Sequence, residues 1–209
     1  MSDISMNDIE DKTILYLIRH GETDWNINQR IQGHTNTDLN EAGKEQAAKL
    51  AEALSTESFA HIYSSDLKRA FETASMLGKR LDIPVTPLST LRERCYGELE
   101  GKYYVDVQDR LEKLLSHESI CGVESRDAMQ ERAVITIKHL LKQHMGQTIA
   151  IVSHGGFINA FLHGITEGLH GTGKSKIGNT GISIISLNND CWEVHEISRD
   201  HHLQESKPL

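Results

Sequence analysis

Short apolar runs alternate along this chain with longer segments that show helical periodicity. Residues 14–18 and 149–152 are nearly continuous apolar runs, a pattern typical of strands buried on both faces. Between them, apolar residues recur at positions 47, 50, 51 and 54, the spacing of an amphipathic helix that covers a sheet. The alternation predicts an α/β fold with three α/β/α layers, a mostly parallel central sheet and helices on both faces.

The same patterns predict the remaining elements. Further strands are expected at 61–64, 85–88, 182–187 and 192–197, the last two as a hairpin across Asn188-Asn189-Asp190. Further helices are expected at 66–81, at 103–116 and 126–145, where they form a small cap, and after Gly156. The polar ends, 1–12 and 200–209, are expected to be flexible tails around a single domain at 13–199.

Composition excludes several classes of protein. The formal net charge of -8 argues against a nucleic-acid partner, because such proteins carry a basic surface. The N-terminus lacks an apolar signal region and no apolar run is long enough to cross a bilayer, so we expect a cytoplasmic protein without a membrane partner. Cys95, Cys121 and Cys191 are odd in number and widely spaced, which favours reduced thiols over a disulfide framework or zinc site.

Chemically capable side chains follow three of the predicted strands. Arg19 and His20 end the first strand, Arg69 begins the helix after the second, and His154 follows the strand at 149–153. Because ligands of such sheets bind at the carboxyl ends of strands, these segments should meet in one crevice. Arginine offers a planar fork for phosphate oxygens, and histidine offers a nucleophilic nitrogen. The charged loop at 91–101 adds candidate acids.

Taken together, these segments resemble the histidine phosphatase superfamily, which includes cofactor-dependent phosphoglycerate mutases and many phosphatases. The resemblance covers roughly residues 13–197, nearly the whole chain. The segments that carry it are Arg19-His20-Gly21-Glu22-Thr23-Asp24-Trp25-Asn26, Gln32-Gly33-His34, the stretch from Ser64 to Ala74 with Arg69, the loop from Leu91 to Gly101, Ser153-His154-Gly155-Gly156, and Asn179-Thr180.

The resemblance implies a role for each catalytic candidate. His20 would attack phosphorus and form a covalent phosphohistidine, while Arg19, Arg69 and His154 bind the phosphoryl oxygens. Glu93 would donate a proton to the leaving group and then activate water. Positively charged neighbours should lower the pKa of His20 and keep it neutral for attack, and a nearby phosphate dianion should favour the protonated form of Glu93.

The resemblance also implies a substrate-binding set without a metal or cofactor. Its members are Asn26, Gln32, Gly33, Tyr96 and Gly155. Two guanidinium groups and a histidine can stabilise a loose phosphoryl-transfer transition state, so no metal is required. The remaining histidines form no zinc-binding pattern. Glu98 is the alternative acid in the same loop, and the glycine-rich segment at 171–175 is expected at the rim of the site.

Three functions remain open at this point. A phosphatase would pass the phosphoryl group to water, a cofactor-dependent phosphoglycerate mutase would return it to another hydroxyl, and a non-catalytic binder would only hold a phosphorylated ligand. The resembling mutases carry a longer insertion with adjacent arginines between the acid and the second histidine, and no such pair occurs between Glu93 and Ser153. The sequence favours hydrolysis of a small phosphorylated metabolite. The oligomeric state stays open, with a homodimer compatible with the chain.

Overall fold

The computed structural model describes residues 12–114 and 122–204. Its strands are β1 (Thr13–Arg19), β2 (His61–Ser65), β3 (Val85–Leu88), β4 (Thr148–Ser153), β5 (Ile182–Asn188) and β6 (Cys191–Arg199). Its α-helices are α1 (Asp24–Ile27), α2 (Glu41–Ala53), α3 (Lys68–Leu81), α4 (Tyr104–Leu114), α5 (Arg126–Gln143) and α6 (Gly155–Ile165). Helix α3 begins two residues later than 66–81 predicts, and α5 ends at Gln143 rather than at 145.

The six strands form one sheet in the order β3-β2-β4-β1-β5-β6. The pairs β3–β2, β2–β4 and β4–β1 are parallel, whereas β5 is antiparallel to both β1 and β6. The predicted mostly parallel sheet is therefore confirmed. Arg19 at the end of β1 lies opposite Ser153 at the end of β4, so the residues that follow each strand, His20 and His154, leave the sheet side by side.

Helices cover both faces of the sheet. On one face Leu17 and Ile151 pack under α5 and α6, and on the other Ile18 and Val152 pack under α2 and α3. This division follows from the side-chain alternation of β1 and β4, because both central strands are apolar on each face. The sheet thus has a hydrophobic core on either side.

The helical cap is smaller than the sequence predicts. Helix α5 is expected in the cap, but Ile137 and Leu141 place it in the main core beside α6. Of the two helices predicted for the cap, α4 lies at the rim, where Val107 packs with Ile31 and Leu99 in a small separate cluster. The predicted helix at 103–116 extends beyond Leu114 into residues outside the described ranges.

The two ends of the predicted domain differ in what the structure describes. Residues 1–11 and 205–209 lie outside the described ranges. Inside the predicted C-terminal tail, His201–Leu203 form a short 3-10 helix. Of the three cysteines, Cys95 and Cys191 are free thiols, and Cys121 is not among the described residues. Within the described part of the chain, no helix is both long and apolar enough to cross a membrane.

Two glycines allow the loop after β1 to lie directly against α2. A Cβ atom on Gly21 would lie 2.5 Å from the carbonyl oxygen of Gly43, and a Cβ on Gly43 would overlap the carbonyl oxygen of Glu22. The backbone amides add to this contact, since Asn40 donates to the Glu22 carbonyl oxygen over 3.1 Å. The position of the segment that follows His20 therefore depends on the absence of two side chains.

Gly43→Ala tests this contact, because the steric and helix-propensity effects have opposite signs. Overpacking should lower the free energy of unfolding by about 1–3 kcal/mol, although alanine is favoured over glycine inside a helix by up to about 1 kcal/mol. Urea denaturation measures the difference. Gly178→Ala is the matched control, since its Cβ would meet its nearest atom at 3.7 Å. A stabilised Gly43→Ala variant would show that the loop has room to move away.

Candidate active site

A cleft of about 610 Å³ opens at the carboxyl ends of the parallel strands. Nine of the ten predicted site residues line it, namely Arg19, His20, Asn26, Gln32, Gly33, Arg69, Glu93, Tyr96 and Gly155. The tenth, His154, lies behind this wall with 0% of its surface exposed, and its ring centroid is 5.2 Å from that of His20. The structure thus brings the predicted set together from separate segments.

His20 is held in one tautomer by its own backbone. Its ring is buried, with 3% exposure, and Nδ1 lies 2.7 Å from the Gly21 carbonyl oxygen. A carbonyl oxygen can only accept a hydrogen bond, so Nδ1 carries the proton and Nε2 keeps its lone pair. Nε2 accepts a long hydrogen bond of 3.3 Å from Nε of Arg69. This is the arrangement a nucleophilic imidazole requires.

The environment of His20 also favours the neutral ring. Burial lowers its pKa well below 6.5, and the positive charges of Arg69 and Arg19 lower it further, against a weaker upward effect of the Gly21 hydrogen bond. The predicted direction is confirmed. The prediction assigned the shift to the two guanidinium groups, whereas burial contributes most.

Arg69 is fixed in place by backbone oxygens. It is 1% exposed, and its Nη1 and Nη2 atoms donate to the carbonyl oxygens of Thr35 and Gly33, each over 2.9 Å. Burial lowers its pKa to about 10, so the guanidinium stays charged at neutral pH. The geometry leaves it rigid beside the Nε2 atom of His20.

Glu100 shapes the loop that holds Arg69, although the sequence offers no reason to single it out. Its carboxylate accepts hydrogen bonds from the His34 amide over 2.9 Å and from Thr35 Oγ1 over 2.6 Å. Gly33 has a positive φ of 51°, which favours glycine, and a Cβ there would overlap Oε1 of Glu100. Only the tertiary contact between the loops at 33–35 and 96–100 reveals this role.

Arg19 and His154 leave buried nitrogen atoms without partners. Arg19 Nη1 donates to the Ile177 carbonyl oxygen over 2.7 Å, but Nε has no hydrogen-bond partner in the described structure, and neither ring nitrogen of His154 has one. Burial lowers the pKa of both groups, and the nearby Arg69 charge lowers that of His154 further. Because unsatisfied buried polar atoms are rare, their convergence near His20 indicates a site for an anion.

Glu93 is positioned at the start of α6. Its Oε1 accepts from the Arg94 amide and its Oε2 from the Gly156 amide, each over 2.9 Å. Gly156 makes this approach feasible, since a Cβ there would overlap Oε1 of Glu93. His34 Nε2 donates to the Glu93 carbonyl oxygen over 2.8 Å. Glu98, the alternative acid, is exposed and does not line the cleft.

The amides of Asn26 and Gln32 present their nitrogen atoms to a ligand. Asn26 Oδ1 accepts from the Thr23 amide over 3.1 Å, and Gln32 Oε1 accepts from Thr37 Oγ1 over 2.7 Å. Among the described residues, no atom accepts a hydrogen bond from the side-chain nitrogen of Asn26 or of Gln32. Both can therefore donate to an oxygen-rich ligand.

Tyr96 and Gly155 complete the predicted substrate-binding set. Burial, followed by the Glu93 charge, raises the pKa of Tyr96 to about 12, so its hydroxyl stays protonated. A Cβ on Gly155 would lie 3.4 Å from Nε of Arg19, so even a methyl group at this position would touch the guanidinium.

The cleft has further lining residues that the sequence does not single out as a set. Ser175 and Lys176 border it, which places the glycine-rich segment at the predicted rim. Trp25 and Gly156 also line the cleft and belong to segments that carry the family resemblance. Only their tertiary position identifies the others, which are Gln29, Arg30, Ile31, Tyr104, Asn159 and Ile177.

The C-terminal 3-10 helix supports the loop beneath His20. Thr180 has a positive φ of 53°, which is strained for a β-branched residue. Its amide and Nδ2 of Asn179 both donate to the His20 carbonyl oxygen, over 3.3 and 3.0 Å. His202 Nε2 lies 3.0 Å from Thr180 Oγ1. Residues predicted as a tail therefore contact the loop that holds His20.

A metal centre has no obvious place among these residues. Within residues 12–114 and 122–204, no group of three or more histidine, cysteine, aspartate or glutamate side chains is arranged to hold an ion. The positive groups around His20 come from the protein itself.

Comparison with known proteins agrees with the geometry. The family model for the histidine phosphatase superfamily (branch 1) matches residues 15–200. A metal-independent phosphoserine phosphatase from Arabidopsis thaliana is 34% identical over 91% of this chain and 83% of its own. Phosphoglycerate mutase-like protein 4 from the same plant is 34% identical over 92% of this chain and 87% of its own.

A solved structure extends the likeness to the whole fold. The crystal structure of a phosphoserine phosphatase mutant from Entamoeba histolytica, in complex with phosphoserine, superposes with a TM-score of 0.82. It is 29% identical in sequence and covers 92% of this chain and 100% of its own.

The buried histidines make stability depend on pH. Below about pH 6.5 the unfolded chain binds protons that folded His20 and His154, with their lowered pKa values, do not. Stability should therefore fall with decreasing pH, by about 1.4 kcal/mol per pH unit for each histidine. His154→Gln should reduce this slope in urea denaturations between pH 7 and 5, whereas a variant of the exposed His139 is the matched control. Equal slopes in the two variants would show that His154 is protonated in the folded protein.

Proposed function

The chain belongs to the histidine phosphatase superfamily and is a phosphomonoesterase, and we propose that it works through a covalent phosphohistidine on His20. The observation that carries this proposal is the tautomer of His20, whose Nδ1 proton is held by the Gly21 carbonyl oxygen at 2.7 Å. The opposite nitrogen, Nε2, then carries the lone pair for attack, which accepts a long hydrogen bond of 3.3 Å from Nε of Arg69.

Arg19, Arg69 and His154 would bind the transferred phosphoryl group. The two guanidinium groups supply charge, and the unpartnered nitrogens of Arg19 and His154 supply donors. Asn26 would add its side-chain nitrogen at the same end of the cleft. In a site shielded from water such fixed donors stabilise the charge on the equatorial oxygens of the transition state. These groups make a metal unnecessary for the reaction.

In the first step Nε2 of His20 attacks phosphorus and the bond to the ester oxygen breaks. The leaving oxygen takes a proton from the carboxyl group of Glu93, which becomes a carboxylate. The Gly21 carbonyl oxygen accepts from Nδ1–H and stabilises the positive charge that forms on the ring. The products of this step are an alcohol and phosphohistidine.

In the second step the Glu93 carboxylate removes a proton from water as the water oxygen attacks phosphorus. The phosphorus–nitrogen bond breaks, its electron pair returns to Nε2, and inorganic phosphate leaves. The proton taken from water restores the Glu93 carboxyl group for the next cycle. The hydrogen bonds from the Arg94 and Gly156 amides hold the carboxylate in place for both steps.

Release of the phosphoryl group to water, rather than to a second hydroxyl, is supported by the segment after Glu93. The mutases that this chain resembles clamp their substrate with adjacent arginines there. In this chain Arg132 is instead paired with Glu124 at 2.8 Å, and no arginine pair occurs between Glu93 and Ser153. The proposed substrate is a small phosphorylated metabolite.

His20→Ala should abolish phosphate release from phosphomonoesters, with a loss of at least about 10³-fold, as expected when a nucleophile is removed. Wild-type protein mixed with a ³²P-labelled phosphomonoester and quenched in alkali should carry an acid-labile label that His20→Ala lacks. His139→Ala, an exposed histidine on α5, is the matched control and should behave as wild type.

Three results would change this assignment. Substantial turnover of an aryl phosphate by His20→Ala would remove His20 as the nucleophile. Loss of activity in EDTA, restored by a divalent cation, would refute a metal-independent reaction. Conversion of 3-phosphoglycerate to 2-phosphoglycerate faster than phosphate appears, with 2,3-bisphosphoglycerate added, would identify a mutase.

Glu93→Gln separates the two roles of the acid. An alkyl phosphate needs a proton on its leaving oxygen, so its turnover should fall by about 10²–10⁴-fold. With p-nitrophenyl phosphate, whose leaving group needs no proton, stopped-flow absorbance should show a rapid burst of nitrophenolate followed by slow turnover. Glu98→Gln, from the same loop, is the matched control. Equal losses of the burst and of alkyl phosphate turnover would point to a structural role for Glu93.

A further inference from the structure

A second cavity of about 320 Å³ lies beside the cleft. The two share Tyr96, Gly156 and Asn159 as wall residues. Arg94 and His163 line the second cavity but not the cleft. Gly156, which lines the second cavity, donates its amide to Oε2 of Glu93. The second cavity therefore lies directly beside the proposed acid.

Arg94 is a buried cation that has no acidic partner among the residues that the structure describes. It is 7% exposed, and its Nε donates to the backbone carbonyl oxygen of Glu124 over 2.7 Å. Its guanidinium lies 5.2 Å from the centroid of the Tyr96 ring. No carboxylate in the described ranges lies within ion-pair distance of it.

The neighbouring arginines behave differently. Arg92 is paired with Asp66 at 2.6 Å, and Arg132 with Glu124 at 2.8 Å. Glu124, whose backbone oxygen accepts from Arg94, thus has its carboxylate already paired with Arg132. A buried charge is costly unless it is paired, so Arg94 stands out among the arginines of this loop.

Two more polar atoms at this cavity lack partners. Oδ1 of Asn159 and Nδ1 of His163 are buried and form no hydrogen bond in the described structure. Asn159 belongs to both walls, and His163 lies one helical turn further along α6. Buried polar atoms of this kind are normally satisfied by a ligand or by ordered water.

We propose that the second cavity receives the leaving group of the substrate and that Arg94 pairs with a second anionic group on it, a carboxylate or a second phosphate. The inference rests on the proposed function, since it takes the phosphoryl group to lie at His20. The ester oxygen protonated by Glu93 then lies at Gly156, where the two cavities meet. The rest of the leaving group continues past Tyr96 toward Arg94.

The lining of the cavity narrows the class of substrate. Arg94 requires an anion, and the oxygen of Asn159 requires a hydroxyl or ammonium donor close to it. Arg126 and Asp127 at the outer rim are both exposed and opposite in charge, so the buried Arg94 sets the preference. The substrates that fit are phosphomonoesters of hydroxy acids and bisphosphates of polyols, rather than phosphates of neutral alcohols.

Matched pairs of substrates test the role of Arg94. 3-Phosphoglycerate and glycerol 3-phosphate differ in a carboxylate, and fructose 1,6-bisphosphate and fructose 6-phosphate differ in a second phosphate. In at least one pair, wild-type protein should favour the substrate with the additional anionic group by about tenfold or more in kcat/KM, the size of one charge-assisted hydrogen bond. Arg94→Met, which keeps a long unbranched side chain but removes the charge, should reduce that ratio to near one.

The pair that responds identifies which anion the cavity takes. Arg80→Met, an exposed arginine paired with Glu52 on the opposite side of the sheet from α5 and α6, is the matched control and should retain both activity and ratio. Equal losses for both members of each pair in Arg94→Met, or a wild-type ratio near one, would overturn the proposal and leave Arg94 as a support for Tyr96.

Binding to the His20→Ala variant separates this inference from the proposed function. Calorimetry with the same four compounds should show tighter binding of the member that carries the additional anionic group, and this preference should be lost when Arg94→Met is added. If no phosphomonoester is hydrolysed by wild-type protein but this preference in binding persists, the catalytic proposal fails and the anion subsite stands. If hydrolysis occurs without any preference in turnover or binding, only the subsite fails.

Discussion

The parallel pairing of β1 with β4 is the constraint on which the rest of the site depends. It places Arg19 opposite Ser153, and the His20 amide continues the ladder by donating to the Ser153 carbonyl oxygen over 3.0 Å. The two histidines therefore leave the sheet next to each other, and α6 begins beside Glu93. A slip of one residue in this register would turn one of the two histidines to the opposite face.

Burial is the second determinant of the site's chemistry. It sets the protonation state of the two histidines and the strength with which the two guanidinium groups attract an anion. Arg19 and Arg69 lie near two neutral imidazoles, and desolvation is the largest cause of the pKa shift in all four groups. Such a cluster is unfavourable until an anion enters it. Binding of a phosphoryl group would relieve this unfavourable arrangement of charges, and more so in a medium of low dielectric constant.

The sequence predicts the fold and the inner part of the site because both are encoded locally. Apolar runs mark the central strands, and Asn189-Asp190 marks the hairpin, where both residues have positive φ. The sequence does not predict the roles of Glu100, Asn159 and His202, because each of them acts through partners that are distant along the chain. The partner of Glu100, for example, is the His34 amide. The cap was overestimated because the periodicity of α5 shows that one face is buried but not which surface covers it.

The hydrogen bond between His202 and Thr180 has a consequence for how the protein is made. The central strand β1 pairs with β4 and β5, and the loop beneath His20 is braced by a residue near position 200. These contacts span most of the chain, so loop closure precedes any gain from them and folding is expected to be slow. During synthesis His20 emerges well before His202, so the loop beneath His20 gains this support only after the 3-10 helix at His201–Leu203 has left the ribosome.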